Sequence, residues 1–269
     1  MSEDYSRFAS LAIDRPLDRV LRIAFDRPDR MNALTAAAHR NLTEVWRVAD
    51  ADTSVSVILL CGRGDNFSAG GDFELVERMT IESETRNRIW REARDLVTNI
   101  LNCTTPIVSA MQGAAAGGGL AAGLLADISV VSHTARLLDG HVRLGVAAGD
   151  HAALLWPLLC GMAKAKYHLL LNEPISGTKA EQIGLVSLSV DEAELQQTAL
   201  DICARLAAGS PSAIRWTKYA LNGWLRSAGP IFDASLALEM LGFAGPDVAE
   251  GLASFREKRP PRFNPDSSV

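Results

Sequence analysis

The sequence has no surplus of basic residues: 27 lysines and arginines stand against 32 aspartates and glutamates, for a formal net charge of -5. Proteins that bind nucleic acid or anionic membrane surfaces need clustered cationic side chains. The polar helix predicted at residues 81–101 mixes four arginines with acidic residues, so it forms no basic stripe. We therefore expect no nucleic-acid partner and no membrane partner.

The sequence also lacks a cysteine framework. Its 4 cysteines include no C-x-x-C pair, so their spacing is typical neither of a zinc site nor of a disulfide-stapled domain. We expect reduced thiols in a cytoplasmic protein without a metal site. The positions are Cys61, Cys103, Cys160 and Cys203.

Long apolar runs are missing as well. The first ten residues, MSEDYSRFAS, are acidic and polar, which is not the pattern of a signal peptide. The most apolar stretch, residues 114–126, is rich in glycine and stops at Asp127, well short of a membrane span. The expected location is therefore the cytoplasm.

The sequence does contain enough apolar material for a core, since 48% of its 269 residues are hydrophobic. Segments with strand patterns alternate with helical segments up to about residue 187, which favours an α/β layered fold. Only helical patterns follow, so we predict a core domain at residues 1–195 and a helical region at residues 196–269. The predicted strands are residues 8–13, 20–25, 55–61, 106–108 and 128–131; the predicted helices are residues 35–51, 81–101, 151–161, 192–208, 211–225, 231–242 and 246–258, with a short helix opening at Gly117.

Two glycine-rich loops concentrate the unusual backbone chemistry: FSAGGD at residues 67–72, and residues 113–119. Glycine lets backbone amides turn toward a ligand, and both loops lead into helices whose first N–H groups have no internal partner. Two such amides aimed at one point stabilise a negatively charged oxygen. The alternative is that the glycines only make tight turns and close helix contacts. Neither loop matches the G-x-G-x-x-G or Walker pattern, so a dinucleotide or NTP site is not expected.

These loops belong to an ordered set of motifs that resembles the crotonase (enoyl-CoA hydratase/isomerase) superfamily over nearly the whole chain. The matching segments are RMNAL (30–34), FSAGGD (67–72), PIV (106–108), the GGG triplet (117–119) with AD (126–127), AEQIGLVS (180–187) and EGLASFREKRPPRF (250–263). The resemblance implies a spiral of ββα units with a C-terminal α-helical oligomerisation region, assembled as a homotrimer or a dimer of trimers. It also implies an acyl-CoA substrate, with coenzyme A as part of the substrate and no permanently bound cofactor.

The resemblance further implies roles for residues of the loops. The backbone N–H groups of Gly71 and Gly118 are expected to form an oxyanion hole. The expected substrate-binding residues are Met31, Asn32, Ala33, Ala69, Gly70 and Asp72.

One part of the family pattern is missing. A hydratase of this family carries one glutamate two residues after the glycine triplet and a second in the loop before the next helix, and here these positions hold Ala121 and His141. Adding water to a double bond needs a base for the water and an acid for the carbon. We therefore expect little hydratase activity of the usual kind.

Residues 139–157 offer a replacement for the glutamates. This segment contains the tripeptides DGH (139–141) and GDH (149–151) and resembles the corresponding stretch of 6-oxocamphor hydrolase, a crotonase homologue that cleaves C–C bonds and has a His and an Asp at the same spacing of nine. Chlorobenzoyl-CoA dehalogenases carry a nucleophilic aspartate at what looks like the position of Asp150. Asp150 is therefore the candidate catalytic base or nucleophile, and His141 its proton-transfer partner.

Each assignment has a structural alternative. Asp150 precedes a predicted helix, where aspartate is a preferred N-cap, and His141 is alternatively a loop imidazole hydrogen-bonded to the backbone. We expect His151 to lie behind the reacting groups or at the surface. Glu239, in the apolar segment SLALEMLGF, either reaches an active site or lies on a solvated helix face, and we favour the solvated face. His39, His133 and His168 are expected to be structural.

Three functional hypotheses follow. The first is a crotonase-family enzyme that acts on an acyl-CoA or related carbonyl substrate through an oxyanion-stabilised enolate or tetrahedral intermediate, with Asp150 and His141 in place of the glutamate pair. The second is a hydrolase that cleaves a C–C bond of a β-diketone. The third is a catalytically retired homologue that still binds coenzyme A.

Overall fold

The computed structural model describes residues 4–267 and contains two β-sheets with helices packed around them. The strands in this range are β1 (Leu11–Leu17), β2 (Val20–Phe25), β3 (Val57–Gly62), β4 (Ile107–Met111), β5 (Ala114–Ala116), β6 (Ile128–Ser132), β7 (Arg136–Leu138), β8 (Ile175–Ser176) and β9 (Leu188–Val190). The α-helices are α1 (Ala36–Ala51), α2 (Phe73–Ile81), α3 (Ser83–Asn102), α4 (Gly117–Leu125), α5 (His141–Leu144), α6 (Ala152–Cys160), α7 (Met162–Leu171), α8 (Gly177–Gln182), α9 (Leu195–Ala207), α10 (Pro211–Ser227), α11 (Gly229–Gly242) and α12 (Asp247–Arg256). The predicted α/β class is confirmed.

The larger sheet has the strand order β1-β2-β3-β4-β6-β9. β1 and β2 form an antiparallel hairpin, and the later neighbour pairs in this sheet are parallel. β2 occupies its predicted residues, but the strand predicted at residues 8–13 begins at Leu11 and continues to Leu17. A salt bridge of 2.6 Å between Arg22 and Asp14 joins the two strands. The chain reverses direction at Asp18 and Arg19, directly after the end of β1.

The two faces of this sheet are covered by different helices because successive strand residues point to opposite sides. On one face, Ile23 and Ile58 belong to the main core, which α1 and α3 complete. On the other face, Val57 and Leu59 pack against Cys203 and its neighbours on α9. Burial on both faces explains why β3 is an unbroken apolar run in the sequence.

The C-terminal helices were predicted within two residues at each end, if the 3-10 turn Glu192–Glu194 is counted with α9. α9 begins at the predicted domain boundary, yet it packs on β3, β4 and β6 of the sheet, whereas α10 and α11 pack against α3. The helical region therefore contributes its first helix to the core. The division into residues 1–195 and 196–269 stays a prediction.

The smaller sheet positions the two segments that matter for function. Its order is β5-β7-β8, with β5 parallel to β7 and β7 antiparallel to β8. Ala116 at the end of β5 pairs with Leu138 at the end of β7. The chain then continues from β5 into α4 and from β7 into α5, so both helices start at the same edge of this sheet.

Among residues 4–267, no helix combines the length and the apolar character that crossing a membrane requires.

Candidate active site

The first glycine loop presents the amide of Gly71. Leu34 forms a parallel β-bridge with Gly71, in which the Leu34 N–H donates to the Gly70 carbonyl at 2.7 Å and the Asp72 N–H donates to the Leu34 carbonyl at 3.0 Å. In this pattern the N–H of the central residue points away from the partner segment. The Gly71 N–H has no backbone acceptor within the described part of the chain, so it is available to a ligand.

The second loop brings the first turn of α4 to the same place. Gly117 opens α4, and a Cβ on it would lie 3.0 Å from the Gly70 Cα and 3.6 Å from the Gly71 nitrogen. Gly118 is the second residue of the helix, so its N–H has no acceptor four residues earlier in the helix. The two amides that the sequence predicts for an oxyanion hole therefore lie on adjoining backbone segments.

The contact between the loops separates two roles for glycine. Gly70 and Gly117 have φ of 84° and 51°, and a Cβ on either would approach the other loop to 3.3 Å or 3.0 Å. A Cβ on Gly71 or Gly118 would meet nothing closer than 3.4 Å, which is an ordinary contact. Tight turning and packing thus account for Gly70 and Gly117. They do not account for Gly71 and Gly118, where a missing side chain keeps the space beside the amides open.

Asn32 holds the first loop in shape. It is buried, its side-chain oxygen accepts from the Arg27 N–H at 2.8 Å, and its amide nitrogen donates to the Arg63 and Asn66 carbonyls at 2.9 Å and 2.7 Å. Because both ends of the side chain are engaged within the protein, Asn32 contributes to a substrate site by fixing the backbone around it.

The other residues predicted to bind substrate lie on the first loop or on the segment paired with it. Met31 and Ala69 are exposed, and the Ala69 N–H donates to the Met31 carbonyl at 2.9 Å. Asp72 is the N-cap of α2 and pairs with Arg27 at 3.3 Å. Arg27 in turn donates to the Ala33 carbonyl at 2.9 Å. These contacts hold the two backbone segments beside Gly71 together, and binding of substrate there stays a prediction.

The imidazole and carboxylate predicted to transfer protons meet in a buried cluster. His141 opens α5, and its Nδ1 lies 3.0 Å from both carboxylate oxygens of Asp139. Its Nε2 lies 3.8 Å from Asp150 and 3.6 Å from Glu239. None of these four side chains is more than 13% exposed. The ring is therefore held by carboxylates, and the alternative of a loop imidazole hydrogen-bonded to the backbone is wrong.

Asp150 does not cap the helix that follows it, which was its structural alternative. α6 starts at Ala152 with His151 as the N-cap, and no side chain caps it. The Asp150 carboxylate is instead 2.5 Å from Nδ1 of His151, which is fully buried. His151 thus supports Asp150 from inside the protein, and a surface position for it is wrong.

Glu239 reaches the cluster from α11, which corrects the expectation of a solvated helix face. Its side chain is 5% exposed, and its Oε2 has no hydrogen-bond partner among residues 4–267. Gly149 lets α11 come this close, because a Cβ there would lie 2.2 Å from the Ser235 carbonyl and 2.7 Å from the Glu239 Cβ. The sequence signal was present: a single acid within an apolar helical segment.

Burial and mutual charge give these groups different protonation states. Burial raises the pKa of Glu239 to about 8, against the opposing charge of His141. Burial would lower the pKa of His141, but the charges of Asp139, Asp150 and Glu239 outweigh it and raise that pKa well above its usual value. Burial would raise the pKa of Asp150, but the charges of His151 and His141 hold it below its usual range. Near neutral pH the cluster therefore contains ionised Asp150, cationic His141 and protonated Glu239.

The second glycine loop and the charged cluster follow neighbouring strand ends. Parallel β5 and β7 end side by side at Ala116 and Leu138, and the chain leads from one into Gly118 and from the other into His141. An anion held at Gly118 would lie near groups that exchange protons. Such an arrangement suits proton transfer at a carbon next to a carbonyl.

Sequence reasoning missed a second imidazole–carboxylate pair. His39 of α1, which was expected to be structural, places its Nδ1 2.8 Å from Oε2 of Glu92 on α3. The ring edge lies beside Gly118. No local pattern in residues 35–51 indicated this pair, because it depends on how α1 packs on α3.

The charged cluster also has groups that are able to bind a cation. Ligand atoms of His141, Asp150 and Glu239 lie within 4.8 Å of one another, and so do those of Asp139, Asp150 and His151. The Nδ1 atoms of both histidines are already hydrogen-bonded to carboxylates. We therefore interpret the cluster as a proton-transfer network, and the expected absence of a metal site stays a prediction.

Comparison with known proteins agrees with this picture. The sequence profile of the family described as Enoyl-CoA hydratase/isomerase matches residues 17–266. A probable enoyl-CoA hydratase of Rhodobacter capsulatus is 32% identical over 247 residues, which cover 90% of this chain and 93% of that protein. A short-chain-enoyl-CoA hydratase of Clostridium acetobutylicum is 29% identical over 251 residues, which cover 90% of this chain and 92% of that protein.

The fold is shared as well as the sequence. The crystal structure of an enoyl-CoA hydratase/isomerase from Mycobacterium paratuberculosis matches with a TM-score of 0.86 at 28% identity, covering 91% of this chain and 98% of that chain. This match confirms the predicted crotonase-type architecture. Because the family profile spans nearly the whole chain and the architecture agrees, the protein is an enzyme of the enoyl-CoA hydratase/isomerase (crotonase) family.

Proposed function

We propose that this enzyme acts on an acyl-CoA thioester or a related carbonyl compound and moves a proton at a carbon next to the carbonyl. The amides of Gly71 and Gly118 hold the carbonyl oxygen, and Asp150 and His141 take the place of the family's glutamate pair. The observation that carries the proposal is the buried cluster in which His141 lies 3.8 Å from Asp150 and 3.6 Å from Glu239.

The roles of the amides and of the side chains follow from the charge that each group carries. When a base removes a proton beside the carbonyl, or a nucleophile adds to it, negative charge develops on the carbonyl oxygen, where two backbone amides stabilise it. Ionised Asp150 is the base or nucleophile, while cationic His141 and protonated Glu239 return a proton. The pKa of Glu239 of about 8 keeps that proton in place at neutral pH.

The substrate class rests on the relatives and on the loop geometry. The relatives from R. capsulatus and C. acetobutylicum are named as enoyl-CoA hydratases, and we therefore propose coenzyme A as part of the substrate rather than as a permanently bound cofactor. Met31, Ala69 and Gly70 would contact it, with Asn32, Ala33 and Asp72 shaping the opening. Ala121 is buried and has no proton to transfer, so hydration of the usual kind would be a minor activity.

A double-mutant cycle tests the proton-transfer pair. Asp150→Asn and His141→Ala are each expected to lower kcat/KM by about 10²–10⁴-fold. The double mutant should be little worse than the more damaging single mutant, because groups that act as a unit give non-additive losses. The measurement is turnover, and deuterium exchange at the carbon next to the carbonyl, over a panel of enoyl-CoA and 3-hydroxyacyl-CoA thioesters.

An exposed His–Asp pair provides the matched control. His133 Nε2 lies 3.8 Å from Asp191, the same distance as in the cluster, but these side chains are 43% and 79% exposed. His133→Ala and Asp191→Asn should leave the rates unchanged. Additive losses from Asp150→Asn and His141→Ala, or full activity of either, contradict the proposal. A wild-type protein that binds acyl-CoA and turns over no member of the panel is a retired homologue.

A second candidate function is hydrolysis of a C–C bond in a β-diketone. The observation that favours it is that His141 and Asp150 do meet in space, since this pair underlies the resemblance of residues 139–157 to 6-oxocamphor hydrolase. Release of a carboxylic acid from a β-diketone without coenzyme A, lost in the Asp150→Asn protein, would establish this function. Turnover restricted to thioesters would exclude it.

We further propose that the enzyme is a cytoplasmic homotrimer or dimer of trimers. α10 and α11 expose large apolar side chains, including Trp216 and Trp224, each 73% exposed, and Leu241 at 67%. Exposed apolar surface of this kind marks association sites. Light scattering at micromolar concentration should report three or six copies, and a stable monomer would contradict the assembly.

A further inference from the structure

His39 and Glu92 form an imidazole–carboxylate pair apart from the charged cluster. His39 lies in the first turn of α1 and Glu92 lies midway along α3. The Nδ1–Oε2 distance is 2.8 Å, and the side chains are 10% and 11% exposed. Because a carboxylate only accepts hydrogen bonds, Nδ1 carries the hydrogen that lies between it and Oε2, and Nε2 is the ring nitrogen left to exchange a proton with a ligand.

Glu92 is itself held in position. Its Oε1 lies 3.5 Å from Nε of Arg40 and 3.6 Å from Nε of Arg88. The Thr43 hydroxyl donates to the His39 carbonyl at 2.9 Å and approaches the Glu92 carbonyl at 3.2 Å. The arginines hold the carboxylate, and the Thr43 hydroxyl holds the two helix backbones together. The carboxylate in turn fixes the orientation and the tautomer of the imidazole.

The free edge of the ring faces the predicted oxyanion hole. His39 Cδ2 and Nε2 lie 3.8 Å and 4.0 Å from the position that a Cβ on Gly118 would occupy. Nε2 has no hydrogen-bond partner within residues 4–267. A nine-tenths buried imidazole whose Nε2 has no partner among the described residues, beside an open amide, indicates a ligand atom between them.

We propose that His39, oriented by Glu92, activates a water molecule for attack on the carbonyl carbon whose oxygen the Gly71 and Gly118 amides hold. The enzyme then has a thioester hydrolase activity in addition to proton transfer by Asp150 and His141. This inference rests on the oxyanion hole of the proposed function.

The hydrolytic step balances with water as its co-reactant. The water oxygen bonds to the carbonyl carbon, its O–H bond breaks, and the proton goes to His39 Nε2 while the carbonyl electron pair moves onto the oxygen. When that pair returns, the C–S bond breaks and the coenzyme A sulfur takes the proton from Nε2. The products are a carboxylic acid and the free thiol.

The experiment compares two activities on the same acyl-CoA thioesters. One is release of free thiol with oxygen-18 from labelled water entering the acid product, and the other is deuterium exchange at the carbon next to the carbonyl. His39→Gln should lower kcat for hydrolysis by about 10²–10⁴-fold. The ratio of hydrolysis to exchange should fall at least about tenfold, because the exchange is assigned to other groups.

Variants of Glu92 and of an unrelated histidine refine the test. Glu92→Ala should reproduce most of the His39→Gln loss, whereas Glu92→Gln keeps an acceptor oxygen for Nδ1–H and should retain more hydrolysis. His168 is a matched control, since it is 9% exposed and its Nδ1 approaches a backbone carbonyl, that of Glu173. His168→Gln should leave both activities unchanged.

A measurement on the wild-type chain is independent of how the variants fold. In protein labelled with nitrogen-15 histidine, Nδ1 of His39 should carry the proton, and the Nε2 signal should shift when an unreactive thioether analogue of acyl-CoA is added. The inference is overturned if wild-type protein hydrolyses no thioester, if His39→Gln retains full hydrolysis, or if the His39 signals ignore the analogue. Failure of the proposed function looks different: deuterium exchange would survive in the Asp150→Asn protein.

Discussion

The two halves of the site are built in opposite ways. The amide half consists of backbone groups of Gly71 and Gly118, set by two loops whose path depends on glycine at positive φ. The charged half gathers side chains from residues 139–151 and from α11, far apart along the chain. One half depends on local backbone conformation, and the other on long-range packing.

This difference means that the two halves can change independently. An oxyanion hole made of amides acts on any substrate that presents a carbonyl oxygen at the right place. The chemistry that follows depends on which buried groups donate or accept protons, and their pKa values depend on one another. On the proposed assignment, replacing the usual glutamates changes the reaction while the amides stay. The following changes break one half and spare the other.

The largest effect is expected on the rate of hydration, which needs the family's glutamates in addition to the amides. Crotonyl-CoA hydration should be about 10²–10⁴-fold slower than in an ordinary hydratase, because Ala121 transfers no proton. Ala121→Glu alone should not restore the rate, since His141 occupies the second position and the two groups work together. Loss of the enoyl thioester absorbance measures this, with the C. acetobutylicum relative as comparator. Fast hydration by the wild-type chain would show that Ala121 and His141 do not occupy the positions of the family's glutamates.

The next effect concerns the charged half and is a pH-dependent stability. The pKa of Glu239 is raised from 4.5 to about 8, so between these values the folded chain keeps a proton that the unfolded chain has lost. Stability should therefore fall as pH rises through this window, with a slope from Glu239 on the order of 1 kcal/mol per pH unit. The raised pKa of His141 adds a second fall that begins near its usual value of 6.5 and continues above the window. Glu239→Gln stays neutral at every pH and should flatten the slope.

Urea unfolding at a series of pH values measures that slope. Glu181→Gln on α8 is the control, because Glu181 is exposed and should leave the pH dependence unchanged. Equal slopes for the two variants would contradict a buried, protonated Glu239.

A smaller effect is expected from a substitution that forces α11 away from the rest of the charged half. The Cβ of Gly149→Ala would lie 2.2 Å from the Ser235 carbonyl, so α11 must move and carry Glu239 with it. We expect a loss of about 1–3 kcal/mol in unfolding free energy, together with reduced turnover. Gly223→Ala on α10 is the control, since its Cβ would meet nothing within 4 Å. This substitution should raise the unfolding free energy by about 0.5–1 kcal/mol, because alanine is the better helix residue. Equal melting temperatures for the two variants in thermal unfolding would contradict this packing.

The smallest effect separates the two kinds of glycine in the amide half. Gly117→Ala should cost about 1–2 kcal/mol because its φ is positive, and its Cβ would press on Gly70. Gly118→Ala should leave stability nearly unchanged, since its Cβ makes only ordinary contacts, but should lower kcat by crowding the anion. Melting temperatures and turnover of both variants test this. A Gly118→Ala protein with full activity would argue against an oxyanion hole at this position.

Much of the fold could be predicted from short-range patterns. β2 occupies its predicted residues, and α1 starts after Thr35, whose side chain accepts from the Ala38 N–H as an N-cap does. The prediction missed α2 as a separate helix before α3, because α2 is short and its cap, Asp72, is the last residue of the glycine loop.

The site was predictable to the extent that its groups are close in sequence or in the family motifs. His141 and Asp150 share one segment, and they do meet. The alternative of Asp150 as a helix cap is wrong, and so is the expectation of Glu239 on a solvated face. The expectation for Glu239 assumed solvent around the residue. Burial by α11 removes that solvent, and a sequence pattern contains no such information.

The sequence by itself determined the strand and helix alternation, the two glycine loops and the identity of the groups able to transfer protons. These features follow from residue type and from spacing along the chain. Only the tertiary structure decided that Glu239 joins His141, that His151 supports Asp150, and that His39 faces Gly118. The physical reason is that these contacts arise where α11 and α3 pack against other elements, and that burial together with neighbouring charge sets the protonation of each group.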